Sequence, residues 1–327
     1  VAPLGSRLVR EVLVIGAAGM IGRKLAQALA KEEAGALILH DVVPFAGASA
    51  VSDLSAPGEA EKLLASRPQL IFHLAAVVSG EAEADFDKGY RVNLEGTHRL
   101  FEAIRRIGGG YKPRVVFTSS IAVFGAPFPE AIYDEFLSAP LTSYGTQKAI
   151  GELLLADYSR RGFMDGIGIR LPTICVRPGK PNKAASGFFS GIIREPLAGQ
   201  EAVLPVPETV RHWFASPRAA VGFLLHAARI DTGQLGARRN LNMPGISATV
   251  AEQIAALRKV AGDAVAQRIR REPDATIQRI VEGWPRNFDA RRAAALGFRA
   301  DRSFEDIIRI HIEDEVQKSS APQPGRG

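Results

Sequence analysis

One cysteine, Cys175, three methionines and two tryptophans stand in a chain of 327 residues. A lone thiol excludes an internal disulfide framework and a multi-cysteine metal site, and it suits a reducing compartment, so the cytoplasm is the expected location. No run approaches the roughly 18 consecutive apolar residues that a membrane-spanning helix needs. The first apolar run, within VAPLGSRLVREVLVIG, leads directly into a glycine-rich turn and reads as a strand rather than a signal peptide. His73 and His212 have no second ligand at zinc-like spacing, so no metal site is expected. Cys175 has no activating base nearby in sequence and reads as a packed thiol.

Charge of one sign is also not concentrated anywhere. The net charge is +6, and from Arg258 to Arg302 eleven Lys or Arg face six Asp or Glu. The signs are interspersed and no aromatic platform runs between them, which describes a solvated helical face rather than a nucleic-acid surface. Part of the positive charge is available for an anionic small substrate.

With 46% hydrophobic residues the chain can bury a sizeable core. Short apolar runs at 11–16, 36–41, 70–76, 114–120 and 166–173 read as strands buried on both faces. The segments 21–31, 93–107 and 144–161 read as helices. Strand and helix in alternation predict a Rossmann-type, doubly wound parallel sheet with right-handed crossovers. The expected division is a dinucleotide-binding domain over 1–173, rejoined by segments about 206–245, and a smaller interleaved substrate region over 174–205 and 246–315. Residues 316–327 read as a disordered tail.

The chemical motifs begin with GAAGMIG. Gly16, Gly19 and Gly22 follow a strand and open a helix, with Met20 and Ile21 in its first turn. Such glycines allow a tight turn and close approach of backbone to a pyrophosphate at the positive helix end. Asp41 closes the second strand, where a carboxylate accepts ribose hydroxyls and repels a 2′-phosphate; with no Arg directly after it, NAD is expected over NADP. Farther on, Tyr144 and Lys148 lie one turn apart on a helix, so the ammonium can pull the phenol pKa toward the working pH. Ser119 and Ser120 end a central strand, at the edge where open sheets bind ligands.

These residues, with Asp53, HLAA at 73–76, Asn93, SSIAVFG and FDARRAAALGF, resemble the extended short-chain dehydrogenase/reductase family over nearly the whole chain. The resemblance implies Ser120 and Tyr144 as the catalytic pair, Lys148 as the residue that also holds the nicotinamide ribose, and Asn93 as support for the proton relay. It implies adenine contacts at Asp53 and Leu54, a cofactor wall at Leu74, Ala75 and Ala76, and a strip beside the carboxamide at Pro172 and Thr173. It also implies a homodimer. Phe124 stands where the family usually has Tyr. Ile121 and Ala122 stand where its dehydratases carry an Asp-Glu pair, so dehydration has no acid here.

Oxidoreduction and epimerisation remain. The segment VRPGKPNKAASGFFSGIIREP is small-residue rich and carries Arg177, Lys180, Lys183 and Arg194 as cations, which suits a short carboxylate at least as well as a sugar nucleotide. Three segments, around 73–97, 170–197 and 211–224, are similar to a branch that oxidises the C2 hydroxyl of short sugar acids. Substrate contacts are expected from Ser79, Ser120, Tyr144, Arg177 and Arg211, with a loop-capping role equally open for Ser79 and Glu81. A nucleotide-sugar 4-epimerase and a non-catalytic dinucleotide sensor are the alternatives.

Overall fold

The computed structural model describes residues 11–179 and 185–317. Seven parallel strands form the central sheet: β1 Glu11–Ile15, β2 Ala36–Asp41, β3 Ala50–Val51, β4 Leu70–His73, β5 Arg114–Ser120, β6 Asp165–Leu171 and, much later in the chain, Asn240–Asn242. Between β6 and that last strand come β7 Thr173–Ile174, β8 Ala202–Leu204 and β9 Arg211–Ala215; Asn240–Asn242 is therefore β10, followed by β11 Ile246–Thr249 and β12 Ile269–Arg271. The sheet order is β10-β6-β5-β4-β1-β2-β3. The chain runs outward from β1, returns to β4 on its other side, and leaves a crevice at the carboxyl ends of β1 and β4, the switch point where such sheets bind ligands.

Alternation along the strands builds two cores. Val12, Val14, Leu70, Phe72, Val116 and Ile167 face helices α1 (Met20–Lys31) and, from the later chain, Pro217–Ala227. Leu13, Ile15, Ile71, Val115 and Phe117 face α2 (Gly96–Ile107) and α3 (Ser143–Arg160). Both faces of each strand are covered, which is why these segments read as continuous apolar runs rather than alternating ones.

A third core lies apart. Phe189 and Ile193 of α4 (Gly187–Leu197) pack with Phe214 of β9, Ile254 and Leu257 of a later helix, and Phe304 and Ile308 near the end. Here β9 pairs with β7 and β11 in a three-stranded sheet, and β12 pairs with β8. Pro217–Ala227, α5, returns to the central sheet; α6 (Val250–Ala261) and α7 (Phe304–His311) belong to the third core. Strand β9 thus sides with the smaller region, and the return to the main sheet begins immediately after it. Lys180, Lys183 and the tail from 318 lie outside the described residues.

Candidate active site

The crevice is floored by the β1–α1 turn. Gly16 has φ +93°, and a Cβ there would stand 2.6 Å from the Ala75 nitrogen; a Cβ on Gly22 would overlap the Gly16 carbonyl oxygen. These two glycines therefore let the turn press against Leu74 and Ala75, whose N–H groups both donate to the Ile15 carbonyl. Gly19 is exposed and caps α1 without any side-chain hydrogen bond, so the first-turn N–H groups at Met20 and Ile21 have no side-chain cap. A cradle free of side chains at a helix N-terminus fits the pyrophosphate of a dinucleotide.

Asp41 ends β2 beside this turn. Its Oδ2 accepts from the Ala18 N–H at 2.8 Å and its Oδ1 from the Val43 N–H at 3.1 Å. The carboxylate thus clamps the glycine turn to the second strand. Asp53 is held in its own turn, its Oδ1 accepting from the Ser55 N–H at 2.9 Å and the Ser55 hydroxyl at 2.6 Å, and Leu54 is buried beside it.

Ser120 closes β5, and its Oγ accepts from the Ala122 N–H at 3.1 Å. Tyr144 lies in the first turn of α3, a helix capped by Thr142, whose hydroxyl oxygen accepts from the Gly145 N–H at 3.0 Å. A Cβ on Gly145 would overlap the Ala122 carbonyl oxygen, so that glycine seats the helix start against the residues that follow Ser120. Burial holds the Tyr144 phenol above its ordinary pKa, while a hydrogen bond with Ser120 and the charge of Arg177 act to lower it. In the chain by itself, burial outweighs these lowering influences on the phenol.

Lys148 is itself buried; its Nζ donates to the Thr118 carbonyl at 2.8 Å and lies 5.8 Å from the Tyr144 ring centroid. Burial pushes its pKa down to about 8, against the charge of Glu152 one turn on. Asn93 is buried in a π-helical turn, Tyr90–Glu95, that leads into α2. Its Oδ1 accepts from the Val77 N–H at 2.8 Å, and its Nδ2 donates to Gln147 Oε1 at 2.7 Å, which joins it to α3, the helix of Tyr144 and Lys148. The Thr97 hydroxyl donates to the Asn93 carbonyl at 2.7 Å and so accepts from His73 Nε2–H at 2.8 Å. His73 is thus structural and neutral, burial and the nearby Lys148 charge pushing its pKa down to about 3.

On the substrate side, Arg177 follows β7. Its N–H donates to Ser190 Oγ at 3.0 Å, its Nε to the Ile174 carbonyl at 3.3 Å, and its own carbonyl accepts from Arg194 at 2.6 Å. Among the described residues its two terminal nitrogens have no partner, and its charge acts on Tyr144. Arg211 is differently placed: it donates to the Ser247 carbonyl at 3.0 Å and pairs with Glu252 at 3.2 Å. Ser79 opens the short helix Ser79–Ala84 and is half-buried, whereas Glu81 is exposed and paired with Lys88 at 2.5 Å. Pro172 is buried, and Thr173 donates to His212 Nε2 at 2.7 Å because His212 Nδ1–H is taken by the Pro285 carbonyl at 2.8 Å. Cys175 is buried, and burial pushes its thiol up to about 12. Sequence reasoning passed over Gln147, Thr97, Glu152 and Arg170; the one readable signal was Glu152, four residues after Lys148 on the same helix face.

A parallel sheet with its glycine turn at the switch point defines a Rossmann-type dinucleotide-binding protein. Residues 12–240 match the NAD dependent epimerase/dehydratase family, and the chain belongs to it. It is similar to D-erythronate dehydrogenase from Cupriavidus necator, 48% identical over 320 residues that span 93% of this chain and 98% of the relative. D-erythronate dehydrogenase from Haemophilus influenzae is 42% identical over 316 residues, 94% of this chain and 100% of the relative. Among solved structures, the nucleoside-diphosphate-sugar epimerase from Agrobacterium tumefaciens superposes with a TM-score of 0.90 at 65% identity, covering 94% of this chain and 95% of that one. The protein is an NAD-dependent oxidoreductase.

Proposed function

We propose that the protein oxidises the C2 hydroxyl of a short sugar acid, D-erythronate foremost, to the 2-oxo acid. The observation that carries this reading is Arg177, a partly buried guanidinium whose backbone and Nε are fixed, whose terminal nitrogens have no partner among the described residues, and whose charge acts on Tyr144. A planar fork of that kind matches a carboxylate in two hydrogen bonds. The names of the two relatives, each aligned over more than nine-tenths of this chain, support the same substrate class.

In this reading the glycine turn and Asp41 would hold NAD, which when bound would supply the hydride acceptor. Ser120 hydrogen-bonds the substrate oxygen, and Tyr144, reacting as the phenolate, takes its proton and becomes the phenol as the carbon gives up hydride, leaving the ketone. Lys148 holds positive charge behind the phenol, and Asn93 steadies the helix pair through Gln147. Arg177 draws the substrate carboxylate to one end, so that only the adjacent carbinol faces Tyr144. A homodimer belongs to the same reading; Leu153 on α3, 72% exposed, is an apolar side chain that packing of this helix against a second copy would cover.

The nucleoside-diphosphate-sugar epimerase from Agrobacterium tumefaciens, 65% identical, favours a second reading, a nucleotide-sugar epimerase in which the ketone is turned and reduced again. Purified protein with NAD and either D-erythronate, L-threonate or related four-carbon acids is expected to form NADH. Silence with every acid, together with interconversion of UDP-glucose and UDP-galactose, would overturn the dehydrogenase reading in favour of the epimerase.

A further inference from the structure

Behind the candidate catalytic residues lies a buried polar cluster that the reaction does not use directly. Glu152, on α3 one turn beyond Lys148, is 4% exposed and Arg170, on β6, is 6% exposed. Arg170 grips the Glu152 carboxylate in two hydrogen bonds, Nε to Oε1 and Nη2 to Oε2, both at 2.8 Å, and the Ser119 hydroxyl donates to Oε1 at 2.6 Å. The remaining Arg170 Nη1 donates to Asn242 Oδ1 and to the Asp134 carbonyl, each at 3.2 Å, and the guanidinium lies 4.8 Å over the Phe124 ring. The carboxylate is therefore held by the strand that ends in Ser120, by the neighbouring strand, and by the helix that carries Tyr144 and Lys148.

An ion pair this deep is a costly way to join three elements, since apolar side chains of similar volume commonly do so at least as well. Its position gives it another consequence. Lys148 makes its hydrogen bond to the Thr118 carbonyl and has no carboxylate within ion-pair distance among the described residues. The groups around it are Tyr144 and Glu152 on its own helix and neutral His73 on β4; Arg177 faces Tyr144, and Asp134 with Arg292 stands beyond Arg170. Of these, Glu152 is the charge that acts on Lys148 to favour the ammonium against burial.

We propose that Glu152 is a positioning residue for the candidate acid/base pair: clamped by Arg170 and Ser119, it supplies the fixed negative charge that keeps buried Lys148 an ammonium at working pH. The proposal rests on Lys148 and Tyr144 as the pair that handles the proton, and its test needs neither substrate nor NAD. Lysine labelled with ¹⁵N allows the Lys148 ammonium to be titrated by NMR in the cofactor-free protein, its signal assigned by loss in Lys148→Met. The expected midpoint near 8 falls in Glu152→Gln by about one pH unit, the order of shift that loss of a nearby opposite charge gives. Glu152→Asp, which disturbs packing but keeps the charge, stays close to the unsubstituted protein, and Arg170→Gln does not lower the midpoint. Where the lone buried guanidinium keeps Glu152→Gln from folding, Glu152→Gln with Arg170→Gln removes the pair without changing net charge and lowers the midpoint by less, because Glu152, one turn away on the same helix, acts on Lys148 more strongly than Arg170 does. An unchanged midpoint in the Gln variants, or equal shifts in the Gln and Asp variants, overturns the proposal and leaves the cluster a structural joint. These outcomes are independent of which substrate is oxidised: a shifted midpoint with no turnover of any sugar acid would sink the substrate reading alone.

Discussion

Lys148 Nζ donates to the carbonyl oxygen of Thr118 at 2.8 Å, two residues before Ser120. That single bond ties the helix bearing Tyr144 to the strand bearing Ser120, and it spends one ammonium proton on the protein while two stay available for a ribose or water. Lys148 is therefore an anchor as well as a charge, and its loss is expected to move Tyr144 relative to Ser120.

Tyr144→Phe is expected to lower kcat for sugar-acid oxidation by roughly 10²–10⁴-fold, with NAD affinity measured by calorimetry close to that of the unsubstituted protein. Because Tyr144 is half-buried and the substitution removes only a hydroxyl, the fold should be kept. Full activity in this variant would assign the proton to another group.

Arg177→Ala is expected to raise KM for D-erythronate by about 10–100-fold, the loss of a hydrogen-bonded charge pair worth roughly 1.5–3 kcal/mol. Arg211→Ala should change KM far less, since its guanidinium is already engaged with Ser247 and Glu252. If steady-state kinetics show the reverse order, the carboxylate lies nearer β9 than α4.

Asp41→Ala is expected to weaken NAD binding and to narrow its advantage over NADP, because the repulsion of a 2′-phosphate goes with the carboxylate. The Ala18 and Val43 N–H groups lose their acceptor at the same time, so a modest fall in Tm should accompany the change. An unaltered cofactor ratio would place the ribose contact elsewhere.

Gly16→Ala and Gly47→Ala separate backbone strain from close approach. Both positions have positive φ, +93° and +88°, but a Cβ at Gly47 meets nothing within 4 Å whereas one at Gly16 stands 2.6 Å from the Ala75 nitrogen. Urea unfolding should show a loss of about 1 kcal/mol at Gly47 and clearly more at Gly16, with NAD binding lost only at Gly16.

Acid should destabilise the protein through two buried histidines. Burial pushes His73 down to about 3 and His212 to about 4 from an ordinary 6.5. Folded pKa values below the unfolded one mean that the unfolded chain binds the extra protons, so stability is complete above pH 6.5 and falls as pH drops from there toward 4. Each histidine contributes up to about 1.4 kcal/mol per pH unit in that window. Urea midpoints measured at pH 7 and pH 5 should differ by less in His73→Asn than in the unsubstituted protein.

Much of the architecture was legible because local pattern and global fold agree. The apolar runs at 11–16, 36–41 and 114–120 became β1, β2 and β5 within a residue, since strands covered on both faces must be apolar throughout and are bounded by turns. The helix expected from Asn93 was placed less well: regular α-helix begins at Gly96, after the π-helical turn that swings Asn93 onto Val77 and Gln147. Nothing in residue type announces an i→i+5 turn, because it follows from what the side chain reaches.

Sequence by itself determined the motifs and their spacing: Gly16 and Gly22 where no Cβ fits, Asp41 at the end of β2, and a Tyr and a Lys one helical turn apart. The spacings are set along the chain by covalent geometry and the helical period, whereas the close approach of Ala75 that bars a Cβ at Gly16 is made by folding. Only the tertiary structure decided which cations stand free and which are engaged. Arg177, Arg194 and Arg211 are alike in sequence, yet among the described residues one has terminal nitrogens without a partner and a charge that acts on Tyr144, one braces its carbonyl, and one pairs with Glu252. Likewise the partners of Lys148 and Glu152 come from β5 and β6, up to 33 residues away in the chain. Charge is a property of a residue, but whether it is paired, and how its field acts on a neighbour, depends on desolvation and on atoms that folding alone brings within a few ångströms.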